Sequence, residues 1–292
     1  MITLLTGRGG LPEIHIQNSA AHCEISLMGA HILSFVPAGH RDVMFLSEKS
    51  EYTQTGKAIR GGVPVCWPWF GPADKTKYPN ATTAHGFIRQ FLWEVVAWKE
   101  LSADCTEVVL GISDSAASRA IWPYGFRLEM TIRVSAALEM SLKTTNTGDT
   151  EFTYAQALHT YYAVGDCEKL SIQGFDGCAF IDKAPANPPA ANPQPGDVII
   201  KEETDRVYLK CPGSASITDP VMGRKILIEK QGSDTGVVWN PWIAKSQRMP
   251  DFGDQEYHNM VCVENCNVDY DSKTLAPGAS HTLDVRISVE SL

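Results

Sequence analysis

"RLEMTIRVS", residues 127–135, alternates strictly: Leu128, Met130, Ile132 and Val134 point one way, and Arg127, Glu129, Thr131 and Arg133 the other. A period of two belongs to a pleated strand. One apolar and one charged face mark a strand half-buried in an antiparallel sheet. The same pattern returns in "ALEMSLKTTN" (137–146) through Leu138, Met140 and Leu142, and in "TLDVRISVE" (282–290) through Leu283, Val285, Ile287 and Val289. Short punctuators separate the runs: "SAA" at 135–137, "TGD" at 147–149 and "APGAS" at 276–280. No sustained 3.6-residue stripe predicts a long helix. Many short strands without intervening helices predict an all-β fold, a large antiparallel β-sandwich. No internal repeat or linker divides the chain, so one domain over residues 1–292 is expected. The segment "KAPANPPAANPQPGD" (183–197), with five prolines, reads as a long excursion that pairs with no strand.

Composition narrows the function. The formal net charge of −9 opposes binding to nucleic acid or anionic membranes, so any anion site must be a local concentration of positive charge. The eight cysteines contain no CxxC pair, and no zinc-type spacing or metal centre is expected. Scattered cysteines in a chain of this length read as small buried hydrophobes in a reducing compartment. No apolar run approaches the ~18 residues of a membrane span, and the N-terminus lacks a signal-peptide pattern. A cytoplasmic monomer is expected.

The alternation is interrupted where chemistry could sit. In "YAQALHTYYAVGD" (154–166), Ala155, Ala157, His159 and Tyr161 share a face, and small residues beside a histidine leave space above it. In "NMVCVENCNVD" (259–269), Val261 and Val263 face the core while Met260, Cys262, Glu264 and Cys266 share the other face. A glutamate among methionine and cysteine is expected to have a partner or a raised pKa. "AIRGGVPVCWPWFGP" (58–72) and "HGFIRQ" (85–90) fix Arg60, His85 and Arg89 on Pro/Gly loops. Each feature also has an ordinary reading: a structural histidine, a solvated glutamate, arginines in surface ion pairs, and tryptophans 67 and 69 in the core.

Taken in order, "AIRGGVPVCWPWFGP", "HGF-R", "WPYGF", "ALHTYY-VGD", "TDRVY", "WNPW" and "VCVEN" form a set. The sequence resembles the hexose-6-phosphate mutarotases (glucose-6-phosphate 1-epimerases) of the aldose 1-epimerase superfamily, from about residue 25 to the C-terminus. The resemblance implies a galactose mutarotase-like supersandwich whose active site uses no cofactor and no metal. It implies His159 as general acid, Glu264 as general base and Asp205 as a ligand of sugar hydroxyls. It places Arg60, His85 and Arg89 on the phosphate side. Trp69, Ile88 and Gln90 depart from residues many members carry.

The chemistry suits that assignment. Anomer exchange opens a pyranose by removing the C1 hydroxyl proton and protonating the ring oxygen, then closes it on the other face. A base and an acid set on opposite sides of one ring would do this, each contributing ~10²–10⁴-fold. His159 and Glu264 are therefore expected on neighbouring strands of one face, with room for a sugar between them. Two arginines would hold a C6 phosphate through paired N–H donors, with His85 adding a charge-assisted one. The alternatives are a mutarotase of unphosphorylated aldoses, a non-catalytic carbohydrate-binding protein, and a glycosidase built on Glu264 and Asp205.

Overall fold

The computed structural model describes residues 1–53, 57–184 and 192–292. The alternating runs lie side by side, as their pattern requires. Phe126–Val134 pairs with Ala137–Asn146, which pairs with Ser280–Ser291, all antiparallel. Their apolar residues fall into rows across the strands: Met130, Leu142 and Leu283; Ile132, Met140 and Val285; Val134, Leu138 and Ile287. All nine are buried. The charged residues between them form cross-strand pairs on the wet face, such as Arg133–Glu107 and Arg286–Glu229, both at 2.6 Å.

These strands are the middle of an eight-stranded sheet that runs, in order, Ser171–Gln173, Ala215–Asp219, Arg224–Gln231, Ser280–Ser291, Ala137–Asn146, Phe126–Val134, Cys105–Ser113 and Glu94–Ser102. A second eight-stranded sheet runs Asn192–Pro193, Ala179–Asp182, Thr204–Leu209, Thr235–Asn240, Met260–Asn267, Gln156–Leu158 and Val65–Cys66, with Tyr161–Ala163 also paired to Met260–Asn267. One hydrophobic cluster joins the two, with Leu128, Ile132 and Leu142 from the first and Leu158, Val261 and Val263 from the second. A four-stranded sheet, Ile2–Thr6 through His31–Pro37, adds Ile14, Ile16 and Ile25 to the same cluster. This is the expected all-β antiparallel architecture. Helix is confined, among the described residues, to short pieces, the longest being Ala116–Ile121, which opens with a reciprocal Ser115/Ser118 capping box.

Met260–Asn267 is buried along its whole length, so Glu264 is desolvated and its pKa raised, as its place among methionine and cysteine led us to expect. Two expectations need correction. Cys178 and Cys211 form a disulfide, so not every cysteine is a free thiol. Antiparallel pairing of Ala179–Asp182 with Thr204–Leu209 sets these two positions together, a closeness no short spacing could signal. The Pro-rich segment does pair: Asn192 and Pro193 lie opposite Phe180 and Ala179 at the sheet edge, where a missing N–H is tolerated. Its residues 185–191 lie outside the described residues.

Candidate active site

The second sheet assembles the site by register. Asp205 lies opposite Trp239, Trp239 opposite Cys262, and Cys262 opposite Tyr161. Directly opposed residues of an antiparallel pair share a face, as do positions two apart along a strand. Asp205, Trp239, Cys262, Glu264 and Tyr161 therefore project from one surface. His159 sits at the break between Gln156–Leu158 and Tyr161–Ala163, both of which pair with the Glu264 strand. Its Nδ1 comes within 3.4 Å of Glu264 Oε1, yet it makes no hydrogen bond there.

The pair is adjacent, where room for a ring between acid and base was expected. Strands in a sheet are ~4.8 Å apart, and side chains on one face of neighbours cannot stand wider than that without splaying. A ligand of the pair would therefore rest against it and not between its members. Adjacency is compatible with the chemistry, because the ring oxygen and the hydroxyl oxygen of the anomeric centre are bonded to one carbon.

Burial decides the electrostatics. Desolvation, then the Asp205 charge, holds the Glu264 carboxyl well above the usual range, against a smaller pull from Lys183. Desolvation first, then the charges of Arg89 and Arg60, holds the His159 imidazole well below its ordinary value. In the free protein the pair therefore favours its uncharged form, with one proton on Glu264 and none added to His159. Tyr161 stacks on His159 at 4.9 Å and 10°, and Trp239 meets both rings edge-on. These two rings wall the site. Trp67 is fully buried among Trp122, Phe87 and Phe126, and Trp69 stacks on Tyr78, so both belong to the core.

The two loops singled out in the sequence are stitched together. His85 N donates to Gly71 O (2.7 Å) and Phe87 N to Trp67 O (3.0 Å). His85 and Gly86 both have positive φ (58° and 74°). A β-carbon at Gly86 would overlap Trp67 O, so only glycine allows this closeness. The His85 ring packs edge-on to Phe70 and lies 5.7 Å from the His159 ring. Its Nδ1 accepts from Gly71 N at 3.3 Å, leaving Nε2 to carry the hydrogen. Burial, with Arg89, Arg60 and Lys183 nearby, brings its pKa down to about 3. In the free protein His85 is thus a neutral donor, where a charged one was expected.

The two arginines differ. Arg60 directs Nε and Nη2 to Asp251 Oδ2 (3.2 and 3.1 Å) and Nη1 to Tyr161 Oη (2.9 Å). Its ordinary reading, an ion pair, is thus realised in part. Arg89 gives Nη2 to Ala84 O at 2.8 Å, while its buried Nε has no partner among the described residues. Asp205 lies 3.6 Å from Lys245 Nζ, which also pairs with Glu203 at 3.0 Å and stands 5.7 Å from the centre of the Trp239 ring. Burial raises the Asp205 pKa, opposed by Lys245 and Lys183.

Lys183, Lys245 and Asp251 were not anticipated. All three lie in stretches without alternation, which offered no face to assign them to. Tyr161 and Trp239 were legible: Tyr161 shares the face of His159 by period two, and Trp239 opens "WNPW".

Comparison with known proteins places this fold. The family model described as aldose 1-epimerase matches residues 12–288. A protein of Escherichia coli K12 named "Putative glucose-6-phosphate 1-epimerase" is 36% identical over 272 residues, 93% of this chain and 88% of its own. A Cenchrus ciliaris protein of the same name is 32% identical over 92% of this chain and 82% of its own. The crystal structure of a "putative mutarotase (YeaD)" from Salmonella typhimurium superposes with a TM-score of 0.87 at 32% identity, covering 97% of this chain and 91% of that one. A galactose mutarotase-like protein of Clostridium acetobutylicum, 15% identical, shares the fold with a TM-score of 0.78 over 100% of this chain and 99% of its own. With its β-sandwich and a family match running nearly end to end, the chain belongs to the aldose 1-epimerase family.

Proposed function

We propose that this protein interconverts the α and β anomers of a hexose 6-phosphate, glucose 6-phosphate foremost, with His159 and Glu264 as its acid–base pair. The observation that carries this reading is a set of three buried polar atoms. His159 Nδ1, Glu264 Oε2 and Arg89 Nε have no hydrogen-bond partner among the described residues. Unpaired buried polar atoms are costly and rare. Here they belong to an acid, a base and a cation in one site, which a sugar phosphate would satisfy together.

The resting protonation state bears on mechanism. The pair holds one proton whether it sits on Glu264 or on His159. A dianionic phosphate beside Arg89 offsets the positive charge that depresses His159, so substrate favours the form with His159 protonated and Glu264 ionised. Glu264 then takes the C1 hydroxyl proton while His159 protonates the ring oxygen. Rotation about C1–C2 and reversal of the roles close the ring on its other face. Asp205 fits a hydroxyl-binding role, His85 a neutral Nε2–H donor and Arg89 the main phosphate ligand.

The chain acts as one domain, a reading favoured by the single cluster shared by its sheets. It works as a cytoplasmic monomer. The six free cysteines favour that compartment, and the Cys178–Cys211 bond is the observation against it. A mutarotase of unphosphorylated aldoses is the second reading, favoured by the prior engagement of Arg60 with Asp251. Exchange spectroscopy of the anomeric protons of glucose 6-phosphate and of glucose separates the two. Faster catalysed exchange of the phosphorylated sugar supports the first reading, and equal or reversed rates reject it.

A further inference from the structure

Away from the site, on the four-stranded sheet, the strands Pro12–Gln17 and Ala21–Ser26 bring two histidines and two glutamates together. His15 lies opposite Glu24, while Glu13 and His22 each stand two residues along from one of them, so all four share a face. His22 Nε2 is 3.1 Å from Glu24 Oε1, and His15 Nδ1 is 4.0 Å from the same oxygen. One donor atom from each of His15, His22 and Glu24 can be chosen so that all three lie within 4.8 Å of one another. Bonds of about 2.0–2.1 Å in a tetrahedron put ligand atoms roughly 3.3 Å apart. Small side-chain rotations reach that spacing.

We propose that His15, His22 and Glu24 form a surface site for zinc or a similar late first-row divalent ion. The surroundings are those of a ligand set held for use. Glu13, which is 1% exposed, places Oε2 3.0 Å from His15 Nε2. That contact turns Nδ1 toward Glu24, the arrangement in which a carboxylate orients a metal-bound imidazole. Glu13 is itself fixed by the Arg8 backbone N–H at 2.8 Å. Arg8 Nη2 holds the other oxygen of Glu24 at 2.7 Å, leaving Oε1 to face both rings. Two carboxylates against one guanidinium leave a net negative charge for a cation. Imidazole nitrogens with one carboxylate select zinc-like ions over calcium or magnesium. His15 and His22 are about 30% exposed, so an ion can enter from solvent. The inference is independent of the proposed sugar chemistry.

The test uses the full-length protein freed of metal by a chelator. Zinc binding is followed by calorimetry, and cobalt(II) by its visible absorption. The expected result is one zinc per chain with a Kd of order 1 µM, a cobalt spectrum of low coordination number, and loss of at least tenfold in affinity in His15→Ala and His22→Ala. Glu13→Gln, which touches no metal, should weaken binding roughly 10–100-fold. Circular dichroism checks that each variant is folded, and His40→Ala serves as the control that leaves binding unchanged. No saturable zinc binding below about 1 mM, or binding unaffected by either histidine variant, overturns the proposal.

Discussion

Replacing Arg89 by alanine tests the proposed phosphate role apart from every other role proposed in the site. Arg89 makes no ion pair with a carboxylate among the described residues, and its buried Nε is unpaired, so its charge is available to a ligand. A charge-assisted hydrogen bond contributes roughly 1.5–3 kcal/mol, and ~1.4 kcal/mol is a factor of ten. Losing one such bond should lower kcat/KM for glucose 6-phosphate about ten- to a hundredfold. Free glucose never met that charge and should change little. Arg60→Ala should behave differently. It strands Asp251 and removes the donor that holds Tyr161, whose ring stacks on His159. Its loss should fall on both sugars. Asp251→Asn weakens the competing grip on Arg60, and should tighten the phosphorylated sugar without helping glucose. The assay is anomer exchange for both sugars across wild type and three variants. If Arg89→Ala lowers both sugars by one factor while Arg60→Ala is phosphate-selective, the division of labour between the arginines is refuted.

Other outcomes follow from the same geometry. His159→Ala and Glu264→Gln should each lower kcat about 10²–10⁴-fold with a smaller change in KM, measured by the same exchange assay. The acid limb of kcat/KM for free glucose marks a second proton entering the pair at His159. Since that group is depressed by burial, the limb should lie below the ~6.5 of a free imidazole. With glucose 6-phosphate the limb of kcat should move upward, as bound phosphate restores proton affinity to His159. Glu264 carries the opposite shift. Its folded pKa is raised, so the folded state binds more protons, and stability is complete below the unfolded value of ~4.3 and declines as pH rises through the folded pKa. Glu264→Gln cannot ionise in either state, so its advantage in Tm over wild type should grow between about pH 4 and pH 7 in thermal melts. Chelation should leave anomer exchange unchanged, since neither metal-compatible cluster among the described residues contains a site residue.

The period-two runs made the fold legible because a half-buried strand exposes its pattern directly, and the rows of Met130, Leu142 and Leu283 show that pattern realised. The pairing of His159 with Glu264 was legible for a related reason. Both sit on faces of small or soft residues, and register makes those faces one: Ala157 opposes Cys266 and Tyr161 opposes Cys262. What the sequence hid was tertiary. Asp251 lies 191 positions from Arg60, in a turn with no periodicity, so nothing local announced that it would occupy the arginine fork. The neutral state of His85 was hidden as well, because it depends on burial beside two arginines and not on residue type. The disulfide and the His15–His22–Glu24 cluster arise from strand pairing, where spacing rules for metal and redox motifs have no purchase.

A buried acid–base pair that stands in contact without a hydrogen bond raises a question of design that stability alone does not answer. A glutamine and an apolar residue would pack at positions 264 and 159 without the cost of suppressed ionisation. The neighbouring residues show where the fold spends effort instead. Arg60 is pinned by Asp251, it pins Tyr161, and Tyr161 supports the face of the His159 ring, so the imidazole is located by packing and needs no bond of its own. Gly86 and the left-handed His85 lock their loop, with the His85 ring 5.7 Å from that of His159, onto Trp67. With both rigid, the polar atoms left unpaired keep their positions, and a ligand pays little to order them. The frame is therefore the preorganised part of the site, and the proton on the pair is its mobile part. In the mechanism proposed above, substrate charge arriving at Arg89 is what moves it.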